Sequence, residues 1–394
     1  MKSKKSTLIF IICYLAYTSI YVARLNLSMA SPELMNSQIL NTAQVGILGS
    51  IFSVIYASGR LFNGGLSDKL PPWAMISSGL VIAGISNIAI GFFPPFIGIL
   101  LLWGANAYAQ SMLWSSVLCI ISSMFDVQTA KRKTSYMVTC VAAGNILGII
   151  LNSVIITKFG VRYAFIIPGG ITLLFASLIL LTTRDIPAIK VQQGKHVSML
   201  QLFQNKEIRL AVFPATLHGM MKDNISLWMT VYFVDKFAID LEQSAYFVLL
   251  IPVVGFIGRM IYPLCYRLCK EQEHKVSMYA FVLCAAAAIP LCIGKVSPVV
   301  AMVCLSLIYA AVSLINTSFL SIFPIRFLST GNVASVSGIL DFATYLGAGI
   351  GSLFYGFLID RFGYSPMFLS WAAVSIVGTW LLRMMVAREK LRKK

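Results

Sequence analysis

Six ionisable residues interrupt long apolar runs of this sequence: Arg24, Arg60, Lys222, Asp223, Arg259 and Asp341. A charge in hydrocarbon costs at least about 2.5–3.5 kcal/mol even on insertion scales, so each marks a candidate site. Arg24 shares one helical stripe with Tyr17, Tyr21 and Ser28, at spacings of three and four residues. Lys222 repeats the arrangement with His218 and Ser226. Two cations among hydroxyls and aromatics suit a compact oxyanion, because charge-assisted hydrogen bonds are strongest where water is excluded. The alternative is a structural pairing of Arg24 with Asp341 or Asp223. Those two carboxylates can carry a proton, or can form permanent salt bridges with Lys222 or Arg24. Arg60 and Arg259, near the inner ends of their segments, read as gate or anchoring residues with side chains long enough to reach the headgroups.

Further polar and aromatic residues fall on segments that would enclose a central cavity. Gln110 and Trp114 share a segment with Trp103 and Ala107; Tyr309 and Asn316 lie one heptad apart; Asp341 and Tyr345 are one turn apart. With Tyr17, Tyr21 and His218 they complete the expected solute-contacting set. No catalytic constellation accompanies them. Histidine occurs only at 196, 218 and 274, without metal-ligand spacing, and no Gly-rich phosphate loop sits in an α/β context. Cys265-x3-Cys269 near His274 could imitate a metal site, but the eight scattered cysteines read better as reduced thiols. The chain is therefore expected not to be an enzyme, and neither a metal nor a cofactor is expected.

The elements that must position these residues are membrane helices. Of 394 residues, 58% are hydrophobic and 11% charged, and the mean hydropathy is +0.83, too apolar for a water-facing surface. Twelve stretches reach the length a hydrocarbon core demands: 7–31, 42–66, 73–93, 96–124, 135–157, 163–183, 208–235, 243–264, 276–294, 298–324, 333–359 and 365–387. The net charge of +17 could suggest nucleic acid, but its distribution excludes that partner. With a cytoplasmic N-terminus, only Lys158, Arg162, Lys236, Lys295 and Arg361 fall outside, an asymmetry that puts both termini in the cytoplasm of a multi-pass cell-membrane protein. The first run is too long for a signal peptide, and Arg24 and Asn26 occupy the place of a small, neutral cleavage region.

The chain also repeats itself. Arg24-Leu-Asn26-Leu-Ser28 returns as Lys222-Asp-Asn224-Ile-Ser226 at an offset of 198 residues, and Gly59-Arg60 returns as Gly258-Arg259 at 199. Gly144, Gly148, Phe159-Gly160 and Phe165 return as Gly347, Gly351, Phe362-Gly363 and Phe368 at 203. The sequence predicts an all-α fold of two pseudo-symmetric six-helix bundles, residues 1–185 and 208–394, joined by a polar cytoplasmic linker at 186–207. Small residues at 144, 148, 347, 349 and 351 permit close helix contact.

With these residues in view, the chain resembles the major facilitator superfamily over essentially its whole length. Gly64-Gly-Leu66-Ser-Asp68-Lys69 is similar to that superfamily's loop signature, in which the Asp packs on a helix N-terminus and holds the inner gate closed; Pro71 replaces the usual Gly and the trailing basic run is missing. Tyr21-Val-Ala-Arg24-Leu-Asn26, Gln110-Ser-Met-Leu-Trp114, the stretch from Lys222 to Trp228, and Ser337-Gly-Ile-Leu-Asp341-Phe-Ala-Thr-Tyr345-Leu-Gly347 resemble the organophosphate:phosphate antiporters, the glycerol-3-phosphate transporter group. That resemblance implies phosphate binding by a basic residue on the first and on the seventh helix, here Arg24 and Lys222. Lysine keeps the charge of the family's arginine without its bidentate fork. The family's fifth-helix histidine is absent, with Thr139 near its place.

The expected function is alternating-access transport of a small organic anion, phosphate- or phosphonate-bearing, with a proton or counter-anion as coupling partner, lipid around it, and a monomeric state. The rivals are a proton-coupled symporter of a carboxylate or other anion, a drug or metabolite exporter, and a transport-inactive solute sensor of the same fold. The two cations argue against the exporter, whose organic-cation cargo would need an apolar cavity with a carboxylate.

Overall fold

The computed structural model describes residues 2–66, 70–125, 127–183, 199–330 and 333–392, and every regular element among them is helical. In chain order these are α1 (Lys2–Asn36), α2 (Thr42–Leu66), α3 (Pro72–Ile90), α4 (Phe96–Ser111), α5 (Leu113–Met124), α6 (Val127–Phe159), α7 (Tyr163–Thr183), α8 (Met199–Gln204), α9 (Lys206–Phe237), α10 (Leu241–Leu268), α11 (Glu273–Ile293), α12 (Pro298–Thr317), α13 (Val333–Phe362) and α14 (Tyr364–Arg392). Between α12 and α13 lie a π-helical turn at Ser318–Ile322 and a 3-10 stretch at Phe323–Thr330. Eleven spans among the described residues are long and apolar enough to cross a membrane. The twelfth expected crossing is α9, which has 32 residues. Its polar centre, His218, Lys222, Asp223 and Asn224, sets it below the others in apolar character.

The chain divides into two compact units, Met1–Gln44 with Ile51–Gln192 and Asp240–Ala245, and Val45–Ser50 with Gln193–Ile239 and Tyr246–Lys394. In the first, α1 packs along α6 and α3 along α7; in the second, α9 packs along α13 and α11 along α14. Glycines make these crossings close. A Cβ on Gly144 would lie 2.5 Å from Tyr21 Cβ, and one on Gly347 would lie 2.0 Å from the Thr216 carbonyl oxygen. The repeated Phe-Gly pairs have a local reason as well. Gly160 and Gly363 take φ of +96° and +76°, the left-handed geometry that ends a helix at little cost only for glycine. Their N–H groups close the last turns of α6 and α13 on the carbonyls of Ile156 and Ile359.

The equivalent asparagines tie each unit internally. Asn26 donates to Asn87 Oδ1 at 2.7 Å and to the Ala164 carbonyl at 3.2 Å. Asn224 donates to the Ala348 carbonyl at 3.1 Å and accepts from Ser352 Oγ at 2.8 Å. Both amides are fully buried, where a satisfied polar group fixes register and an unsatisfied one is costly.

Two expected single helices are interrupted. The segment 96–124 breaks at Met112, whose N–H bonds the Ala109 carbonyl three residues back at 3.2 Å. Ser111 Oγ turns back on the Tyr108 carbonyl at 2.6 Å, the hydroxyl competition that bends helices. The segment expected at 298–324 leaves the α-helix after Thr317 and widens into the π turn, where Ser318 Oγ meets the Tyr262 hydroxyl at 3.0 Å. Pro324 then offers no N–H to resume a regular ladder. The linker expectation also shifts: α8 and the start of α9 occupy part of 186–207. Asn205 caps α9 by accepting the Glu207 N–H at 2.8 Å. Residues 184–198 lie outside the described residues.

Candidate functional site

In the first unit, α1 brings Arg24 beside the aromatic face of α2. Its guanidinium carbon lies 4.7 Å from the Phe52 ring centroid, 4.9 Å from Tyr56 and 5.8 Å from Tyr21. Phe52 and Tyr56 stack with centroids 5.9 Å apart, and Trp103 closes behind Phe52 at 5.3 Å. Arg60 reaches the same Tyr56 ring at 5.8 Å, so two guanidinium groups share one aromatic. A ring face attracts a cation through its quadrupole without neutralising it. The aromatic seat therefore holds positive charge in place and does not cancel it.

Tyr17 and Trp114 continue this cluster. Their rings meet edge-on at 5.4 Å, and Tyr17 stands 5.8 Å from Tyr21. Gln110 is buried and its amide donates to Asn106 Oδ1 at 3.1 Å, a bond within its own helix.

In the second unit, Lys222 Nζ lies 4.9 Å from the Tyr345 ring centroid and 3.8 Å from Asp223 Oδ1. Asp341 sits one turn before Tyr345 on α13 and is half-buried. His218, one turn before Lys222, is fully buried, and neither ring nitrogen makes a hydrogen bond among the described residues. Tyr309 packs against α10 at Gly255, where an added Cβ would be 2.4 Å from its ring. Asn316 and Arg259 are both half-buried, and among the described residues neither Asn316 Oδ1 nor Arg259 Nε makes a hydrogen bond. Asp68, the expected gate carboxylate, lies outside the described residues.

The described structure places Arg24 beside Tyr21 of its own helix, and Lys222 beside Asp223 and the Tyr345 ring of α13, a cross-helix neighbour that the spacing did not indicate. Sequence reasoning missed Phe52 and Tyr56. The signal was present: Phe52, Tyr56 and Arg60 recur every four residues, one stripe of α2. It also missed the ion pair of Arg326 Nε with Glu273 Oε1 at 2.5 Å, beside the π turn.

Residues 13–331 match the profile of the Major Facilitator Superfamily. The chain belongs to that superfamily. As a major facilitator protein it is a multi-pass membrane protein, and its fold agrees with that of a mutant form of the nucleoside transporter NupG, at a TM-score of 0.82 and 15% identity over 97% of this chain and 99% of that one. At that identity the likeness speaks for the fold alone. Among curated relatives, this major facilitator chain is 29% identical over 179 residues to a probable hexose phosphate transport protein of Chlamydia trachomatis, covering 45% of this chain and 39% of the relative. It is 22% identical over 277 residues to the membrane sensor protein UhpC of Escherichia coli, covering 64% and 63%. It is 22% identical over 396 residues to the phosphoglycerate transporter protein of Salmonella typhimurium, covering 89% and 82%. The match spans only about two fifths of the length of the hexose phosphate relative.

Proposed function

We propose that this protein is a secondary transporter of small organic anions, phosphate- or phosphonate-bearing, that works by alternating access with Arg24 and Lys222 as its anion-binding cations. The observation that carries this reading is the seating of Arg24 on the Phe52, Tyr56 and Tyr21 rings. Desolvating a guanidinium is costly, and ring faces offset part of that cost while keeping the charge itself intact. Lys222 stands at the repeat-equivalent position of the other half, beside the Tyr345 ring. Relatives named for hexose phosphate and phosphoglycerate transport support the phosphate class. Arg60, bound to the same Tyr56 ring, is read with Arg24 as part of one basic group as well as a gate residue.

A thermal-shift screen of phosphorylated sugars, phosphoglycerate, phosphonates and carboxylates on the purified protein tests this reading. Anions that bind the folded state raise its apparent stability. Phosphate-bearing solutes should shift the wild type and leave Arg24→Ala unmoved; a shift by carboxylates alone would overturn the phosphate class. Coupling is separable in vesicles, since symport responds to an imposed pH gradient and to Asp341→Asn, whereas exchange needs a counter-anion inside. The likeness to the sensor UhpC supports a second reading, a solute sensor without transport. Flux distinguishes the two.

A further inference from the structure

One polar pair in the first unit is not used by the cation site. Tyr14, Tyr17, Tyr21 and Arg24 follow at spacings of three, four and three residues, one stripe of α1. The Tyr14 hydroxyl lies 3.0 Å from Thr139 Oγ1 on α6. Thr139 Oγ1 also lies 2.7 Å from the Tyr136 carbonyl, which can only accept. A hydroxyl has one proton to give, and Thr139 spends it on that carbonyl. Tyr14 must therefore be the donor to Thr139, which leaves its oxygen with lone pairs only. Fixed in this way, Tyr14 is an acceptor and cannot offer a proton to an incoming phosphate. Thr139 is exposed and Tyr14 part-buried, so the acceptor is not sealed in the core. Between Tyr14 and Arg24 on the same stripe stand Tyr17 and Tyr21, with Trp114 edge-on to Tyr17.

We propose that Tyr14, oriented by Thr139, is a specificity-determining residue that accepts a hydrogen bond from a hydroxyl group on the body of the solute whose anionic end is held at Arg24. Ten residues of helix separate the two backbone positions by about 15 Å, and the arginine side chain shortens that span toward the length of a phosphorylated polyol. Among phosphate-bearing solutes, Tyr14 then favours one that carries a hydroxyl at this reach over a plain alkyl phosphate. Pockets of this kind are mostly apolar walls with a few placed polar groups that fix orientation. This inference rests on the reading of Arg24 as the anion site.

The test is calorimetric binding of glucose 6-phosphate, hexyl phosphate and inorganic phosphate to the purified full chain. Wild type should prefer glucose 6-phosphate over hexyl phosphate by about three- to tenfold, the worth of one such hydrogen bond. Tyr14→Phe, checked for folding by its continued binding of inorganic phosphate, should bring that ratio to about one. Thr139→Val, which frees the Tyr14 proton and leaves the ring in place, should also lower it. An unchanged ratio in Tyr14→Phe would overturn the proposal and leave the anion site standing. If the wild type binds none of the three probes, the anion reading falls and this inference falls with it.

Discussion

The guanidinium carbon of Arg24 lies 4.7 Å from the centroid of the Phe52 ring, so a cation on one helix is positioned by an apolar side chain on the next. Phe52 is itself buried and contributes no hydrogen bond to the arginine. Its effect is to hold the charge in place without cancelling it.

Replacing Phe52 with Leu keeps most of the volume and removes the ring face. A cation–π contact is worth about 0.5–2 kcal/mol, so the half-saturating anion concentration should rise about two- to thirtyfold. Phe52→Tyr should stay near wild type. Concentration dependence of uptake in proteoliposomes checks both, and equal loss in the two variants would point to packing instead of the ring.

The α9–α13 crossing should tolerate no added methyl group where a glycine of one helix meets the backbone of the other. In Gly347→Ala the new Cβ would meet the Thr216 carbonyl oxygen at 2.0 Å, whereas at Gly170 it meets nothing within 4 Å. Overpacking of this kind costs about 1–3 kcal/mol or more. Size-exclusion and thermal-melt profiles of detergent-solubilised protein should show Gly347→Ala destabilised and Gly170→Ala close to wild type.

What the sequence disclosed follows from cost. Arg24, Lys222, Asp223 and Asp341 stood out because charge in an apolar run is expensive, and the repeat was visible because Gly160 and Gly363 each end a helix at positive φ. Phe52 and Tyr56 were passed over for the same reason, since an aromatic in an apolar helix costs nothing and only their four-residue spacing to Arg60 marks them. The break at Met112 was hidden, because it depends on where the Ser111 hydroxyl turns. Arg326 read only as one more inner-side charge, since its partner Glu273 is 53 residues away in the chain.

That ion pair should respond asymmetrically. The Glu273 side chain is 5% exposed and that of Arg326 is 32%. Arg326→Ala removes the ion-pair partner of a buried carboxylate, and should destabilise by up to about 3 kcal/mol given the arginine's partial exposure. Adding Glu273→Gln to that variant should recover part of the loss. Thermal melts of the single and double variants measure it.

Cys269 follows the end of α10, and burial, assisted by Cys265 nearby, pushes its thiol above the ordinary value, against a lowering influence from Lys275. A raised thiol value means less thiolate at neutral pH, and the thiolate is the nucleophile. In a variant keeping Cys269 as its only cysteine, maleimide labelling should be slower than for a free thiol at about pH 7.5 and should still be climbing at about pH 9. With an impermeant reagent, labelling should occur from the cytoplasmic face only, which checks the orientation expected from the basic loops.

Flux tests the central claim most directly. Proteoliposomes holding wild type, Arg24→Ala or Lys222→Ala, each shown to be folded and inserted, are given labelled glucose 6-phosphate outside and unlabelled anion inside. Saturable uptake by the wild type and its loss in both variants is the predicted result. Wild-type rates in either variant would contradict the assignment of that residue, and binding without any flux in the wild type would make the protein a sensor.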